Sequence, residues 1–141
     1  MLQQNTTKRL GYWLLLLHLY FEDDMAVALA AQRLDRRGWQ VLHALAIGVD
    51  SVDALDDAFR PFLTVDRLAS CDSIVEDFVG RGWAVANRGR LALTDAGKAA
   101  HVEAEAIVND QAEDILAGLT EDQFLAANGV LERIAANMRP S

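Results

Sequence analysis

The chain has 141 residues, 52% hydrophobic and 24% charged, which suits one globular domain with a real core and excludes a disordered chain. Its one cysteine, Cys71, excludes an internal disulfide and any zinc-finger spacing. The net charge of −8 argues against a uniformly basic nucleic-acid binder, but residues 64–98 balance five basic against five acidic side chains while 99–141 carry two against eight, so a DNA face in the middle stays open.

Lys8 and Arg9 precede an apolar run, Leu10 to Phe21, with an Ala-x-Ala pattern at Ala28 to Ala30. A secretory signal has that outline. The acidic trio Glu22, Asp23 and Asp24 follows directly, and the apolar positions continue beyond it at helical spacing, so the stretch reads as a helix of a cytoplasmic protein. The run is shorter than the roughly 20 residues that span a bilayer.

Leu10, Trp13, Leu14, Leu17, Phe21, Met25 and Ala28 predict a first helix over Thr7–Gln32. Asp35 caps a second, Arg36–Ala46, with Trp39, Leu42 and Leu45 on one face. Ile47-Gly48-Val49 breaks it, with room for a short strand. Ser51 caps a third helix, its inward face Val52, Leu55 and Phe59, and Arg60-Pro61 is expected to end it. Thr64–Val79 is helical by spacing, either continuous or broken near Ser70 to Asp72, and Gly80 and Gly82 terminate it. The period then changes. Residues 83–86 and 91–93 flank Asn87-Arg88-Gly89-Arg90, a hairpin signature. Thr94 caps a long helix, Asp95 to about Ala117, and the capping box from Thr120 to Gln123 starts the last one, Glu121 to Met138.

The order of elements defines a mainly α chain in which about Val49–Thr94 forms a winged helix-turn-helix. A helix presented by its N-terminal end fits the DNA major groove, and a hairpin beside it reaches the minor groove. Ile74, Val75 and Phe78 back the recognition helix. Arg67, Ser70, Asp72 and Ser73 lie near its start, and Arg88 and Arg90 flank the hairpin glycine as candidate minor-groove contacts. Residues 1–34 and 95–141 supply long helices whose apolar stripes a domain this small cannot bury, so pairing with a second copy is expected through Leu10, Leu14, Leu17, Ile107, Ile115, Leu119, Phe124 and Leu131.

Several motifs together resemble the MarR family of bacterial regulators, over nearly the whole chain and closest to an actinobacterial branch. They are Leu93-Thr94-Asp95-Ala96-Gly97 after the hairpin, Gly118-Leu119-Thr120-Glu121 with Leu131-Glu132-Arg133-Ile134, the segments Gly11–Leu14 and Arg36–Leu42, and Val79–Trp83. The resemblance implies a single winged-helix domain, an obligate homodimer, binding to double-stranded DNA at a pseudo-palindromic operator as a transcriptional regulator, with repression expected and activation left open, and often a small-molecule effector that releases DNA. Trp13, Phe21, Trp39 and His43 are the candidate effector pocket, with core packing as the plainer reading. This chain departs from the family pattern in a wing tip cut to about four residues, a segment that reads as shortened around Pro61 to Ser70, and the carboxylates Asp66, Asp72, Glu76 and Asp77 in or beside the recognition helix. Those carboxylates support a competing reading, a protein-interaction module on a winged-helix scaffold that no longer binds DNA. No catalytic constellation, phosphate loop, cofactor motif or metal signature is present in the sequence. His18 with Glu22 and His101 with Glu105 read as ordinary i,i+4 pairs, and Cys71 as a buried, inert thiol.

Overall fold

The computed structural model describes residues 8–139, so the expected helix start at Thr7 falls outside the described residues. Among these are seven α-helices and one two-stranded sheet: α1 (Leu10–Ala28), α2 (Arg36–Ala46), α3 (Val52–Ala58), α4 (Arg60–Asp66), α5 (Asp72–Gly80), β1 (Ala84–Asn87), β2 (Arg90–Leu93), α6 (Asp95–Ile115) and α7 (Glu121–Met138). The fold is mainly α with a short antiparallel hairpin, as the sequence predicts. No described helix is long and apolar enough to cross a membrane.

The chain divides into two compact units, Met1–Val108 and Asn109–Ser141. The first contains the core: Leu29, Val41, Leu42, Leu55, Cys71 and Phe78 are fully buried, and Trp39, Leu63, Val75, Ala84, Leu91 and Ala104 join them. The second holds the end of α6 and all of α7, which buries none of its residues. The Thr120 capping box is complete, with both reciprocal bonds formed.

Four boundaries differ from the sequence reading, each for a local reason. Helix α1 stops at Ala28 and passes through a 3₁₀ turn, Ala30–Gln32, to Arg33 in the left-handed region (φ 54°). Ile47-Gly48-Val49 forms no strand. Gly48 turns the chain at φ 109°, and the nearby backbone contact to the hairpin is one bond, Leu91 N–H to the Asp50 carbonyl at 2.7 Å. Arg60-Pro61 starts a helix instead of only ending one. Pro61 sits in the first turn of α4, where its missing N–H costs nothing. The segment expected to be shortened therefore holds a complete helix, and Thr64–Val79 is divided between α4 and α5. Helix α6 ends at Ile115, two residues early, and the turn beyond it reaches Gly118 at φ 80°.

The break before α5 is built from hydrogen bonds. Arg67 closes α4 in the left-handed region, φ 57°. Asp56 of α3 accepts the Cys71 N–H at 2.7 Å, and Ser70 Oγ accepts the Asp72 N–H at 3.1 Å. Burial raises the Asp56 pKa, but the bonds from Cys71 and Ser70 outweigh it and hold the carboxyl below its ordinary range. Behind the hairpin, Thr94 N–H donates to the Trp83 carbonyl at 2.9 Å, and a side chain at Gly97 would collide with that carbonyl, which explains this glycine.

One buried charge joins three helices. Arg37 of α2 donates to Asp66 of α4 at 2.7 Å and to Glu22 of α1 at 3.1 Å, and it bonds Gln40. Its guanidinium lies 4.2 Å from the centre of the Phe62 ring. Burial opposes the charge on Arg37, but Asp66 and Glu22 outweigh it and raise its pKa. Removing the guanidinium leaves Asp66 without its cation and Glu22 with Arg36 alone, 3.0 Å away. Arg37→Ala is expected to lower stability by roughly 2–3 kcal/mol in urea denaturation, less than for a fully buried pair because both carboxylates reach water. Arg37→Lys should recover only part, since one ammonium cannot fork to both.

Candidate nucleic-acid interface

Helix α5 buries Val75 and Phe78 in the core and keeps Ile74 half-buried, so its outer ridge is fixed in direction. That ridge presents Asp72, Ser73, Glu76 and Gly80 to solvent. Arg81, at the end of the helix, donates to the carbonyls of Gln32 at 3.0 Å and Arg33 at 2.7 Å, and pairs with Asp77 at 2.9 Å. Its guanidinium lies over the Trp83 ring at 4.7 Å. The C-terminal end of α5 is thereby tied to the turn before α2, while Asp56 and Ser70 hold the N-terminal end.

The hairpin is a two-residue turn. Asn87 pairs with Arg90, and Arg88 (φ 54°) and Gly89 (φ 77°) are both left-handed, as a type I′ turn requires. Arg88 is exposed at the tip. Arg90 is also exposed and lies 3.0 Å from Asp50, itself half in water, a pair too solvated to hold the side chain firmly. Between α5 and the hairpin runs a groove of about 390 Å³, its walls largely Val52, Val75, Val79, Ala86 and Leu91, with Asp72 and Glu76 along the helix side.

Of the expected DNA contacts, Ser73 and Asp72 stand on the ridge and Arg88 and Arg90 at the wing. Ser70 is half-buried and spends its hydroxyl on the first turn of α5. Arg67 is exposed but belongs to the end of α4. The carboxylates are less uniform than the sequence suggests: Asp66 is committed to Arg37 and Asp77 to Arg81, leaving Asp72 and Glu76 as the open pair. Cys71 is fully buried at the start of α5, and burial, then its bond to Asp56, pushes its pKa up to about 12, so it is a poor thiolate.

The four candidate pocket residues do not converge. Trp13 is exposed and meets Tyr12 edge-on, and Phe21 lies under Arg36. Trp39 and His43 do meet, their rings tilted at 5.1 Å, and they are joined by His101, stacked on Trp39 at 5.4 Å, which sequence reasoning left as a surface pair with Glu105. His43 Nδ1 and His101 Nε2 are 3.0 Å apart, so one imidazole donates to the other, and Glu105 lies 3.6 Å from the far nitrogen of His101. His43 and His101, with Lys98 and Glu105, line a cavity of about 560 Å³ whose apolar side includes Leu91 and Leu93 of the hairpin.

These features define a winged-helix fold of the MarR type. No family model matches the chain and no curated protein matches it, but solved structures do. A MarR family transcriptional regulator from Silicibacter pomeroyi superposes with a TM-score of 0.68 at 23% identity, over 97% of each chain. The Mycobacterium tuberculosis MarR family protein Rv2887 in complex with DNA gives 0.65 at 21% identity, over 89% of this chain and 96% of that one, and it is also known in complex with p-aminosalicylic acid. A mutant MarR from E. coli complexed with operator DNA gives 0.69 at 18% identity, over 89% and 92%. The chain shares their fold.

Burial first, and then the neighbouring His43, lower the His101 pKa against the pull of Glu105. The unfolded chain therefore binds this proton more tightly than the folded one. Folding stability is expected to be complete above the ordinary histidine value of about 6.5 and to fall as pH drops through it. Chemical denaturation between pH 5 and 8 reads this, and His101→Gln should flatten the dependence while keeping a hydrogen-bonding side chain.

Proposed function

We propose that this protein is a sequence-specific DNA-binding transcriptional regulator, a repressor acting as a homodimer on a pseudo-palindromic operator in the cytoplasm, and not an enzyme. The observation that carries this reading is the pairing of α5, held at both ends and backed by the core, with a two-residue hairpin that lifts Arg88 clear of the surface. α5 enters the major groove by its N-terminal half, and Arg88 and Arg90 follow the neighbouring minor groove. Neighbours of the same fold seen on DNA support it.

The second copy is called for by exposed apolar faces in each unit. Helix α1 shows Tyr12, Trp13, Leu14, Leu17 and Tyr20 to solvent, and the second unit shows Ile115, Leu119, Phe124 and Leu131. Leu10 and Ile107 are half-buried within their own unit. A monomer with such faces is poorly soluble, and a two-fold partner covers both. The cavity beside His43 and His101 is the effector site of this reading. Its size suits a small organic molecule, and its contact with β2 gives an occupant a lever on the wing.

A second reading has one observation in its favour. Asp72 and Glu76 stand open on the ridge, where phosphates would be repelled, which fits a surface that binds a protein in place of DNA.

Binding of the purified protein to duplex DNA from upstream of its own coding sequence separates the two. The double variant Arg88→Ala, Arg90→Ala is expected to weaken binding by about the same factor for matched and scrambled duplexes and to flatten the salt dependence. Wild-type protein that binds no duplex at low salt favours the protein-interaction reading.

A further inference from the structure

At about 3.6 residues per turn, Asp72, Val75, Glu76 and Val79 share one flank of α5, and these residues line the groove toward the wing. Ser73, Ile74, Asp77, Phe78 and Arg81 share the opposite flank. They line a second hollow of about 390 Å³, whose far wall is the turn Arg33–Asp35 and Gly38 of α2. A helix lying in the major groove shows its ridge to the bases and one flank to each phosphate strand. On the wing side the cation is Arg88. Of the residues that sequence reasoning singled out, Ser73 alone lines the hollow on the other flank, and none of the candidate arginines does.

The second hollow supplies one. Arg33 is exposed, and its side chain has no hydrogen bond or ion pair among the described residues. Its backbone is left-handed, and its carbonyl is held by Arg81 at 2.7 Å, which fixes the point from which the guanidinium leaves the surface. The two carboxylates of the hollow are both engaged: Asp35 accepts the Gly38 N–H at 2.8 Å, and Asp77 pairs with Arg81. The donors left open to solvent are the Arg33 guanidinium and the Ser73 hydroxyl, and an anionic oxygen accepts from both.

We propose that Arg33 and Ser73 form a seat for one phosphodiester of the DNA strand on the flank of α5 opposite the wing, with Arg81 holding the turn that carries Arg33. The seat rests on the regulator reading and deepens it. With Arg88 on one side and Arg33 on the other, the acidic ridge enters the groove between two cations. Arg81 has a structural duty in the same place, so Arg33 is the residue to test.

The experiment measures affinity of the full-length protein for the upstream duplex and for a scrambled duplex of equal composition, across a salt series, for wild type, Arg33→Gln and Arg33→Lys. Arg33→Gln is expected to weaken both duplexes equally and to reduce the slope of log affinity against log salt by about two, one for each subunit of a dimer. Arg33→Lys is expected to restore most of the slope, and the thermal midpoint should not move, since Arg33 makes no side-chain contact that folding needs. Wild-type slope and affinity in Arg33→Gln would overturn the seat while leaving the regulator reading intact. Wild-type protein that binds neither duplex overturns the regulator reading itself. A parallel titration with inorganic phosphate distinguishes the source of the anion. Phosphate binding that Arg33→Gln abolishes, with DNA affinity unmoved, would assign the hollow to a free anion and overturn the strand seat.

Discussion

The Arg37 guanidinium is buried among three helices, and the geometry of the exposed face of α5 follows from where it must sit. Its cation has lost most of its water and is compensated by Glu22 of α1 and Asp66 of α4, with the Phe62 ring against its face. A forked, planar donor meets both carboxylates only in one arrangement of the helices. That fixes the end of α4, where Arg67 turns left-handed, and with it the short loop that delivers Ser70 and Cys71 to the start of α5. Asp56 completes the restraint from α3 by taking the Cys71 N–H. Such a network adds less to net stability than its contacts suggest, because desolvation offsets much of the attraction. Its effect is on register: it settles the direction in which the α5 ridge points.

Electrostatics then shape what that ridge can bind. A carboxylate facing phosphate is unfavourable, whereas one facing a base edge can accept from the amino group of cytosine. Two of the four carboxylates noted in the sequence are neutralised by internal arginines, and the two that remain, Asp72 and Glu76, stand along the side of α5 that faces the wing groove. The chain therefore places its cations beside the recognition helix and not on it. Under the proposed DNA-binding role, affinity would come from few phosphate contacts, and wrong sequences would be penalised by unpaired carboxylates.

The element order was readable from periodicity and capping. Asp35, Ser51, Thr94 and Thr120 each cap where expected, and Arg88-Gly89 makes the turn its residue types demand. The region of 60–72 was not readable in detail. Proline marks a helix start and a helix end by the same chemistry, and only tertiary contacts from Arg37 and Asp56 decide that α4 exists and where α5 begins. Site residues were partly visible. Exposed wing arginines announce themselves by composition, whereas Arg33 and His101 acquire their surroundings from partners 48 and 58 residues away in the chain, Arg81 and His43. Nothing local distinguishes an arginine beside a hollow from one on a solvated turn. The positive charge two residues before the acidic cap Asp35 was the one trace of it.

In the proposed function, a dimer of this fold lays α5 into the major groove with its hairpin in the flanking minor groove. Hydroxyl-radical footprinting of the intact protein on its upstream DNA tests this most directly. The account predicts two protected half-sites about one helical turn apart, each bordered by a minor-groove protection that vanishes when the tip arginine is removed. A single unpaired footprint, or a duplex left uniformly open to cleavage at protein concentrations that saturate the dimer, would contradict it.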